Sequence, residues 1–319
     1  MAPLGSDMNI NKLVTGFSRA YSNDAFIADK ILPPVKVQKE AGKYARYDKS
    51  NARISGVITL ASDTQVAPRS TYGVDTDSYT TQLRRLADDV GQMTIANADS
   101  PFDPIRDATF NLQQQLGIDK EQAIVGDVLF ASGNYASGNK VVLKNSTQWS
   151  NYGTATGAKG PIRKVASAGN TVLNTVLTTP NVLAFGNDVW VVLSRHPDLT
   201  DSIKHVSVLA KVQIQNALAA LFGVDEVMMS RAVRNGAFPG ETDSLSQVAT
   251  DKAILIVRPS QQNTRSRAHS VQFQQSAFPN GDSWTEQSRM NATSIEVRDN
   301  YVAKVVDTGA GFMFDDVIA

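Results

Sequence analysis

The alternation of apolar and polar residues divides the chain into a polar early part, a helical middle and a mixed later part. The clearest helical pattern covers residues 101–131, and its apolar residues recur at steps of three, four or seven: Ile105, Ala108, Leu112, Leu116, Ala123 and Phe130. Ser100 or Asp103 can cap the start of this helix, and Gly117 is predicted to bend or divide it. A helix of this length spans about 45 Å, which predicts a spine along an elongated subunit.

The early part has little to bury. Residues 1–35 are predicted to form an N-terminal arm, because Pro33 and Pro34 end any helix before them. Residues 36–90 alternate weakly at both ends and carry few large apolar groups between. Two such strands are marginal alone in water, so the segment is either disordered or held by something outside itself. The pattern favours a β-hairpin lying on a neighbouring molecule.

The later part mixes helices with short buried strands. Helices are predicted from Pro161 to about Thr178, from Asn187 with a restart at Pro197, and over "KVQIQNALAALFG", where Gly223 is the C-terminal cap. Strands are predicted for "PNVLAFG", "VDEVMMSRAV" and "KAILIVRP", and two more at the end of the chain around Asp299-Asn300. Residues 259–290 are predicted to be a polar loop. The order of elements indicates an α+β protein.

Composition narrows the functional classes. A chain of 319 residues predicts two or more lobes. Lys plus Arg and Asp plus Glu each number 31, so the chain lacks the basic excess of a protein that holds DNA tightly. The absence of cysteine excludes disulfides and thiolate metal sites. No signal-peptide pattern and no apolar window long enough for a membrane span occur in the sequence.

One stretch nearly matches a phosphate-binding loop. Residues 133–140 read G-N-Y-A-S-G-N-K, but Asn139 separates the second glycine from Lys140, and Val141 replaces the required hydroxyl. A predicted helix precedes the stretch and strand-like residues follow it, which is the reverse of the order that phosphate binding requires. We interpret the stretch as a solvated turn from helix to strand.

The remaining chemical groups fit structural positions better than catalytic ones. His196, His205 and His269 lack ligand spacing and are predicted to be surface or capping residues. No elbow for a serine nucleophile is present. The carboxylate pairs do not match a calcium loop, and the tryptophans are expected to be packing anchors: Asp75 with Asp77, Asp88 with Asp89, Asp315 with Asp316, and Trp149, Trp190 and Trp284.

A short basic cluster, Lys159, Arg163 and Lys164, could touch nucleic acid, but a solvated helix start explains it better. The glycan sequons at Asn145 and Asn291 carry meaning only in a secreted protein. The sequence therefore predicts no enzyme, no catalytic, cofactor or metal site, and no cofactor.

Two stretches, "NDAFIADKILPPVKVQKEAGKYARYDKS" and "LGIDKEQAIVGDVL", match passages of one known family. They resemble the major capsid proteins of tailed bacteriophages with the Hong Kong-97-type coat fold, the first at the segment entering the family's extended loop and the second at the end of its spine helix. "NYASGNKVVLKNSTQWSNY" and "TTPNVLAFGNDVWVVLSRHPDLTDSIKH" resemble two further passages, the second of which opens the family's axial lobe. "LAALFGVDEVMMSRAVRN", "DKAILIVRP" and the final "SIEVRDNYVAKVVDTGAGFMF" continue the match. After "QWS" the sequence has a longer "NYGTATGAKGP" than the family pattern.

The resemblance covers the chain from about Asn23 onward, except for residues 259–290, which match no passage of the family. It implies an N-terminal arm at 1–35, an extended loop at 36–90, a peripheral domain at 91–178 with a spine helix at about 101–131, an axial domain at 179–290, and C-terminal strands at 291–319 that return to the peripheral domain. It implies self-assembly into hexamers and pentamers of an icosahedral shell around phage DNA. The expected partners are a separate scaffold protein, a portal, a possible decoration protein and weakly bound packaged DNA, with no membrane. The expected location is the virion, after assembly in the bacterial host cytoplasm.

Two alternatives stay open. An encapsulin-type nanocompartment shell has the same fold but encloses an enzyme instead of a genome. An enzyme with an unrecognised active site belongs to another class, and the missing motifs argue against it.

Overall fold

The fold is given by a computed structural model that describes residues 25–47, 74–98, 102–203, 211–237, 240–258, 267–277, 282–288 and 291–319. The α-helices are α1 (Ala28–Ile31), α2 (Gln92–Ala96), α3 (Pro104–Glu121), α4 (Pro161–Val176), α5 (Asn187–Leu193), α6 (Pro197–Ile203) and α7 (Lys211–Phe222). The strands are β1 (Val35–Val37), β2 (Ala41–Tyr47), β3 (Val74–Thr80), β4 (Gln82–Gly91), β5 (Lys140–Val142), β6 (Val182–Gly186), β7 (Glu226–Ser230), β8 (Val233–Asn235), β9 (Leu245–Gln247), β10 (Ala253–Ile256), β11 (Ser270–Gln275), β12 (Asp282–Ser288), β13 (Ala292–Val305) and β14 (Gly311–Asp315).

Strand β13 is the central strand of a first sheet, here called the peripheral sheet, which contains β1, β4, β11, β12 and β13. β13 is antiparallel to β4 on one side and to β12 and β11 on the other. Helix α3 packs on this sheet, where Leu112 and Leu116 bury against Ile295 and Val297. These apolar positions on helix and strand explain why the helix lies across the sheet.

A second sheet, here called the axial sheet, has the strand order β5-β14-β10-β6-β7. Every residue of β6 and β10 is buried, as expected for strands covered on both faces. Helix α4 covers one face with a stripe of small and branched residues, Val165, Ala168, Val172 and Val176. The face of the axial sheet under α4 thus belongs to one large apolar cluster, and the opposite face belongs to a second.

The helix predicted from the apolar periodicity is present, with two differences in detail. Asp103 caps α3 by accepting hydrogen bonds from the amides of Ile105 and Arg106. Gly117 neither bends nor divides the helix; a Cβ there would lie 2.5 Å from the Phe26 ring, so the glycine permits close packing. The geometry changes instead after Glu121, where residues Gln122–Leu129 continue as a π-helix.

Two predictions about the end of the chain are wrong. Residues 259–290 are not simply a polar loop, because β11 and β12 lie within this interval and pair with β13. Asp299 and Asn300 do not separate two strands; β13 passes through both, and the turn lies near Asp307 and Ala310. In both cases polar residues that suggested exposure are buried between strands.

Candidate assembly site

Strands β2 and β3 form a two-stranded ribbon that belongs to neither main sheet. The ribbon pairs in antiparallel register from Ala41 opposite Thr80 to Tyr47 opposite Val74. Both strands lie within the interval in which the sequence predicts a hairpin, and they pair in the antiparallel sense that a hairpin requires. The polar stretch predicted between them, residues 49–70, lies outside the described residues.

Three aromatic rings attach the base of the ribbon to the peripheral sheet. The Tyr79 ring stacks on Phe273 of β11 with centroids 4.4 Å apart and planes 14° from parallel. Tyr44 packs on the same ring at 5.3 Å. Gly42 lies opposite Tyr79, and a Cβ on Gly42 would lie 2.7 to 2.9 Å from atoms of the tyrosine side chain. The glycine therefore lets the tyrosine ring lie across the ribbon.

Beyond this base most ribbon side chains are exposed, among them Lys43, Arg46, Val74, Asp75, Thr76 and Ser78. The Tyr44 hydroxyl donates to Asp77 at 3.0 Å. Burial and this hydrogen bond raise the pKa of Tyr44 to about 12, whereas hydrogen bonds from the Ser78 amide and Tyr44 lower the pKa of Asp77. The ribbon is thus fixed at its base and polar along its length, and it buries little apolar surface of its own.

A second junction holds the N-terminal segment, residues 27–32, between the two sheets. Ile27, Ala28, Ile31 and Leu32 are buried in the apolar cluster that also contains residues of the axial sheet. The carboxylate of Glu121, which is fully buried, accepts hydrogen bonds from the amides of Ile27 and Ala28 at 2.9 to 3.1 Å. Glu121 therefore caps α1 from a position 94 residues away.

Lys120, the neighbour of Glu121, completes this junction with two ion pairs, one to the buried Asp299 and one to the partly exposed Asp29. Its ammonium group lies 2.8 Å from Asp29 and 3.2 Å from Asp299, and 5.1 Å from the centre of the Tyr301 ring. The end of α3 thus joins the N-terminal segment to β13. A buried pair of this kind is expensive to break on one side, because the remaining charge is left without compensation.

The environment of Glu121 explains its protonation behaviour. Burial raises the pKa of the Glu121 carboxyl above its ordinary value, and the hydrogen bonds from Ala28, Ile27 and Ser230 offset only part of that rise. The Glu121 carboxylate accepts hydrogen bonds from two backbone amides and from the Ser230 hydroxyl, so its role is structural.

The stretch that nearly matches a phosphate loop is a structural passage. It forms two short 3₁₀ turns, Ser132–Asn134 and Ser137–Asn139, and then enters β5. The predicted turn from helix to strand is confirmed, but it is not fully solvated. Asn139, the residue that breaks the motif, is buried and donates to the carbonyls of Gly309 and Gly311. Its amide therefore supports the last turn of the chain.

The histidines are predicted to occupy surface or capping positions, and the two that the structure describes are not on the surface. His196 and His269 are both fully buried, and His205 lies outside the described residues. His196 has the predicted capping role, because its Nδ1 accepts from the Asp198 amide at the start of α6. His269 stacks on Tyr135 at 4.5 Å, and its Nδ1 lies 2.7 Å from the Ser270 hydroxyl.

The burial of His269 predicts that the folded subunit loses stability as the pH is lowered. Burial lowers the pKa of His269 from 6.5 to about 4. Between these two values the unfolded chain binds a proton that the folded chain does not, so the free energy of unfolding falls as pH decreases, by up to about 1.4 kcal/mol per pH unit. We expect urea unfolding of the unassembled subunit at pH 4.5, 5.5 and 6.5 to show this slope, and a His269→Gln variant to show a smaller one. Equal slopes in both proteins would contradict the assignment.

The other predicted candidates do not converge on a site. Asp75, Asp77, Asp88 and Asp89 are exposed, and Asp315 and Asp316 are half-buried. Trp149 is a fully buried packing residue, Trp190 packs against the same cluster and Trp284 lies on β12. Lys159 and Arg163 are exposed at the start of α4, and burial lowers the pKa of Lys164.

The described residues contain neither a metal-binding cluster nor a membrane-spanning helix. No three acidic or histidine side chains there are grouped so that they could hold a metal ion. None of the helices in the same residues combines the length and apolar character that crossing a bilayer requires.

Comparison with solved structures identifies the fold class. A phage-related protein from Bordetella bronchiseptica RB50 superposes with a TM-score of 0.72 at 17% identity, covering 97% of this chain and 98% of that one. The capsid structure of cyanophage P-SCSP1u gives 0.59 at 8% identity over 99% and 92% of the two chains. The holo-SrpI encapsulin of Synechococcus elongatus PCC 7942 gives 0.56 at 14% identity over 98% and 92%. The chain has the Hong Kong-97-type coat fold, as predicted.

Sequence comparison identifies more specific relatives, although no family model matches the chain. The major capsid protein of Pseudomonas phage JBD67 is 27% identical over 256 residues, which cover 80% of this chain and 79% of that protein. The major capsid protein of Burkholderia phage BcepMu is 22% identical over 271 residues, which cover 81% and 79%. The resemblance to phage major capsid proteins is confirmed.

The sequence does not reveal the residues that hold the base of the ribbon or the residues that hold the N-terminal segment. Glu121 sits in a charged "DKEQ" stretch that is typical of a solvated helix end, and its partners are 94 residues away. Tyr79 lies in a polar strand, and only its register opposite Gly42 reveals its role. A local signal does exist at Gly42, in the G-K-Y passage. A glycine inside a strand often marks a place where another group approaches the backbone closely.

Proposed function

We propose that this chain is a major capsid protein that self-assembles into the icosahedral head shell enclosing phage DNA. The observation that carries the proposal is the ribbon, which is anchored at its base by Tyr79 on Phe273 and is exposed beyond it. Two exposed strands have too little apolar surface to be stable alone. Contacts with neighbouring copies of the same chain would bury the exposed surface of the ribbon and so stabilise it. The names of the two curated relatives support this reading.

We also propose the division of the subunit that the resemblance implies. Residues 1–35 act as the arm, 36–90 as the extended loop, 91–178 as the peripheral domain, 179–290 as the axial domain and 291–319 as the returning strands. The sheets cross these intervals. β4 of the loop interval and β11 and β12 of the axial interval belong to the peripheral sheet, whereas β5 and α4 of the peripheral interval and β14 of the returning strands pack with the axial sheet. The two lobes are therefore interleaved along the chain.

The mechanism of the proposed function is mechanical. Each subunit makes several modest contacts, and closed symmetry repeats every contact around the shell. A contact that buries a few hundred Å² of apolar surface contributes several kcal/mol. Many such contacts stabilise a closed wall, while each one is weak enough to be corrected during assembly.

The proposed partners are other copies of the chain, a separate scaffold protein, a portal and a decoration protein. Packaged DNA would touch the wall weakly, since the net charge of the chain is zero. Lys159 and Arg163 are exposed cations available for such contacts. We propose that the chain has a structural role and no catalytic one. We further propose that it is located in the virion capsid after assembly in the host cytoplasm.

An encapsulin-type shell is the second candidate, because an encapsulin shares the fold with a TM-score of 0.56. That likeness concerns the fold alone, whereas both curated relatives are phage capsid proteins. DNA sequencing and protein mass spectrometry of particles from an infected or induced host separate the two: co-purified genomic DNA indicates a capsid, and a single enclosed enzyme indicates an encapsulin. A solitary monomer whose melting temperature rises with a small ligand would instead indicate an enzyme.

Deletion of residues 48–70 tests the role of the extended loop. We expect a subunit that stays folded, because the ribbon base and both sheets lie outside the deletion, but that no longer closes shells. Electron microscopy of wild-type and deleted protein, each expressed with and without a scaffold candidate, measures the outcome. Regular particles from the deleted protein would show that the loop is not needed, and no particles from wild type under any condition would contradict the proposed function.

A further inference from the structure

The outer edge of strand β4 is open. Ile295 of β13 pairs with Asp88 on one side and with Thr285 on the other, so β4 and β12 flank β13. In the part of the chain that the structure describes, no strand pairs with the far edge of β4. An open edge of ten residues presents backbone donors and acceptors to any strand of matching pattern.

The backbone shows which residues face this edge. The amide of Asp89 donates to the side chain of Asp88 at 2.9 Å, whereas the amide of Gln92 donates to the Asn291 carbonyl, towards β13, at 2.8 Å. In an antiparallel strand the N–H and C=O of one residue point the same way, and successive residues alternate. The odd-numbered residues from 83 to 91 therefore direct their backbone groups to the open edge.

The charges along β4 are arranged with opposite signs at its two ends. Arg84 and Arg85 precede the apolar pair Leu86-Ala87, and Asp88 with Asp89 follow it. The Arg85 side chain is 68% exposed, and its guanidinium lies 4.0 Å from the Glu296 carboxylate, which is a long distance for an ion pair. Asp89 is exposed, and the described residues place no basic side chain in an ion pair with it.

This arrangement distinguishes between kinds of partner strand. A parallel copy in register would place arginine beside arginine and aspartate beside aspartate. An antiparallel copy would place arginine beside aspartate at both ends. Charges of a single sign would repel every copy, which is the usual protection of an edge; the two-signed pattern repels one orientation and attracts the other.

We propose that β4 pairs with β4 of a second copy of this chain, antiparallel and about a two-fold axis at Ala87. Edge-facing residues must meet edge-facing residues, so Ala87 lies opposite Ala87 and Arg85 lies opposite Asp89 of the second copy, twice per pair. The small alanine side chain leaves room at the axis. The Asp88 side chain releases the Asp89 amide when the strands pair. The pairing would supply a two-fold contact of the shell and in that respect rests on the proposed function.

A single cysteine tests the geometry. The chain has no cysteine of its own, so an Ala87→Cys variant carries one thiol, and the two thiols of a pair would lie near the axis, with Cα atoms about 5.5 Å apart. A short thiol-specific bifunctional reagent is expected to convert assembled Ala87→Cys protein largely to covalent dimer. Val142→Cys is the matched control, because Val142 is 53% exposed on the edge strand β5 of the axial sheet, and it should stay monomeric.

Charge exchange tests the register. In the Ala87→Cys background, Arg85→Asp or Asp89→Arg alone should lower dimer formation about tenfold, because two opposite-charge pairs become like-charge pairs. The double variant should recover it, and so should a mixture of the two single variants, whose unlike copies are complementary. Equal crosslinking in all variants would overturn the register. Shells from Ala87→Cys protein without any dimer would overturn the pairing and leave the proposed function standing, whereas dimers without shells would do the reverse.

Discussion

Replacing Glu121 with alanine is expected to destabilise the subunit by about 3 kcal/mol or more. The carboxylate accepts hydrogen bonds from the buried amides of Ile27 and Ala28 and from the Ser230 hydroxyl. Without it, two backbone donors are left unsatisfied, and each such buried group costs about 1–3 kcal/mol. Urea unfolding of the unassembled subunit measures the loss. Hydrogen exchange at Ile27 and Ala28 should accelerate in the same variant, because the cap of α1 is removed.

Gln114→Ala is the matched control for this experiment. Gln114 lies on the exposed face of the same helix, and alanine is the residue most favourable to helix formation. The control should therefore change the free energy of unfolding by less than about 0.5 kcal/mol. If Glu121→Ala were as stable as the control and its Ile27 and Ala28 amides stayed protected, the N-terminal segment would be held by apolar burial alone.

The parts of this fold that could be predicted from sequence are those in which neighbours along the chain decide the structure. Helix α3 follows from its apolar spacing and from Asp103 at its start. Helix α7 ends where predicted, and Gly223 has the positive φ of +70° that a C-terminal cap requires. In these elements the deciding interactions lie within a few residues, so the sequence alone contains them.

The missed parts depend on distant partners. The polar residues Gln272 and Gln274 of β11 favour a loop, yet both are buried and donate to Asp29 and Asp299. Asn300 suggested a turn but bonds to Gln275 across the strands. A polar residue indicates exposure only when no partner reaches it in the fold. Here the partners are up to 243 residues away, and no local pattern signals them.

The candidate site shows the same division. Two paired strands with little to bury could be predicted from the composition of the ribbon segment. Its direction could not, because that depends on Tyr79 stacking on Phe273, which lies nearly 200 residues later in the chain. The ribbon is useful to a neighbour only if it leaves the subunit in a fixed direction, since ordering it during association would weaken every contact it makes.

A Gly42→Ala change is accordingly expected to impair shell assembly while leaving the subunit folded. The added Cβ would lie 2.7 to 2.9 Å from atoms of the Tyr79 side chain, so the ring must leave Phe273 or the ribbon must shift. Either response loosens the base of the ribbon but leaves both sheets intact. A loss of about 1 kcal/mol in a contact that recurs throughout a shell should reduce the yield of closed particles at least tenfold.

Two controls separate the direction of the ribbon from general damage. Gly138→Ala introduces the same methyl group at a glycine with nothing within 4 Å and should assemble normally. Tyr79→Phe keeps the ring on Phe273 and should also assemble, whereas Tyr79→Ala removes the stack and should fail as Gly42→Ala does. Particle yield by gradient sedimentation and electron microscopy, with circular dichroism of the subunits, decides the outcome. Normal shells from both Gly42→Ala and Tyr79→Ala would mean that the neighbouring subunit, and not the aromatic base, directs the ribbon.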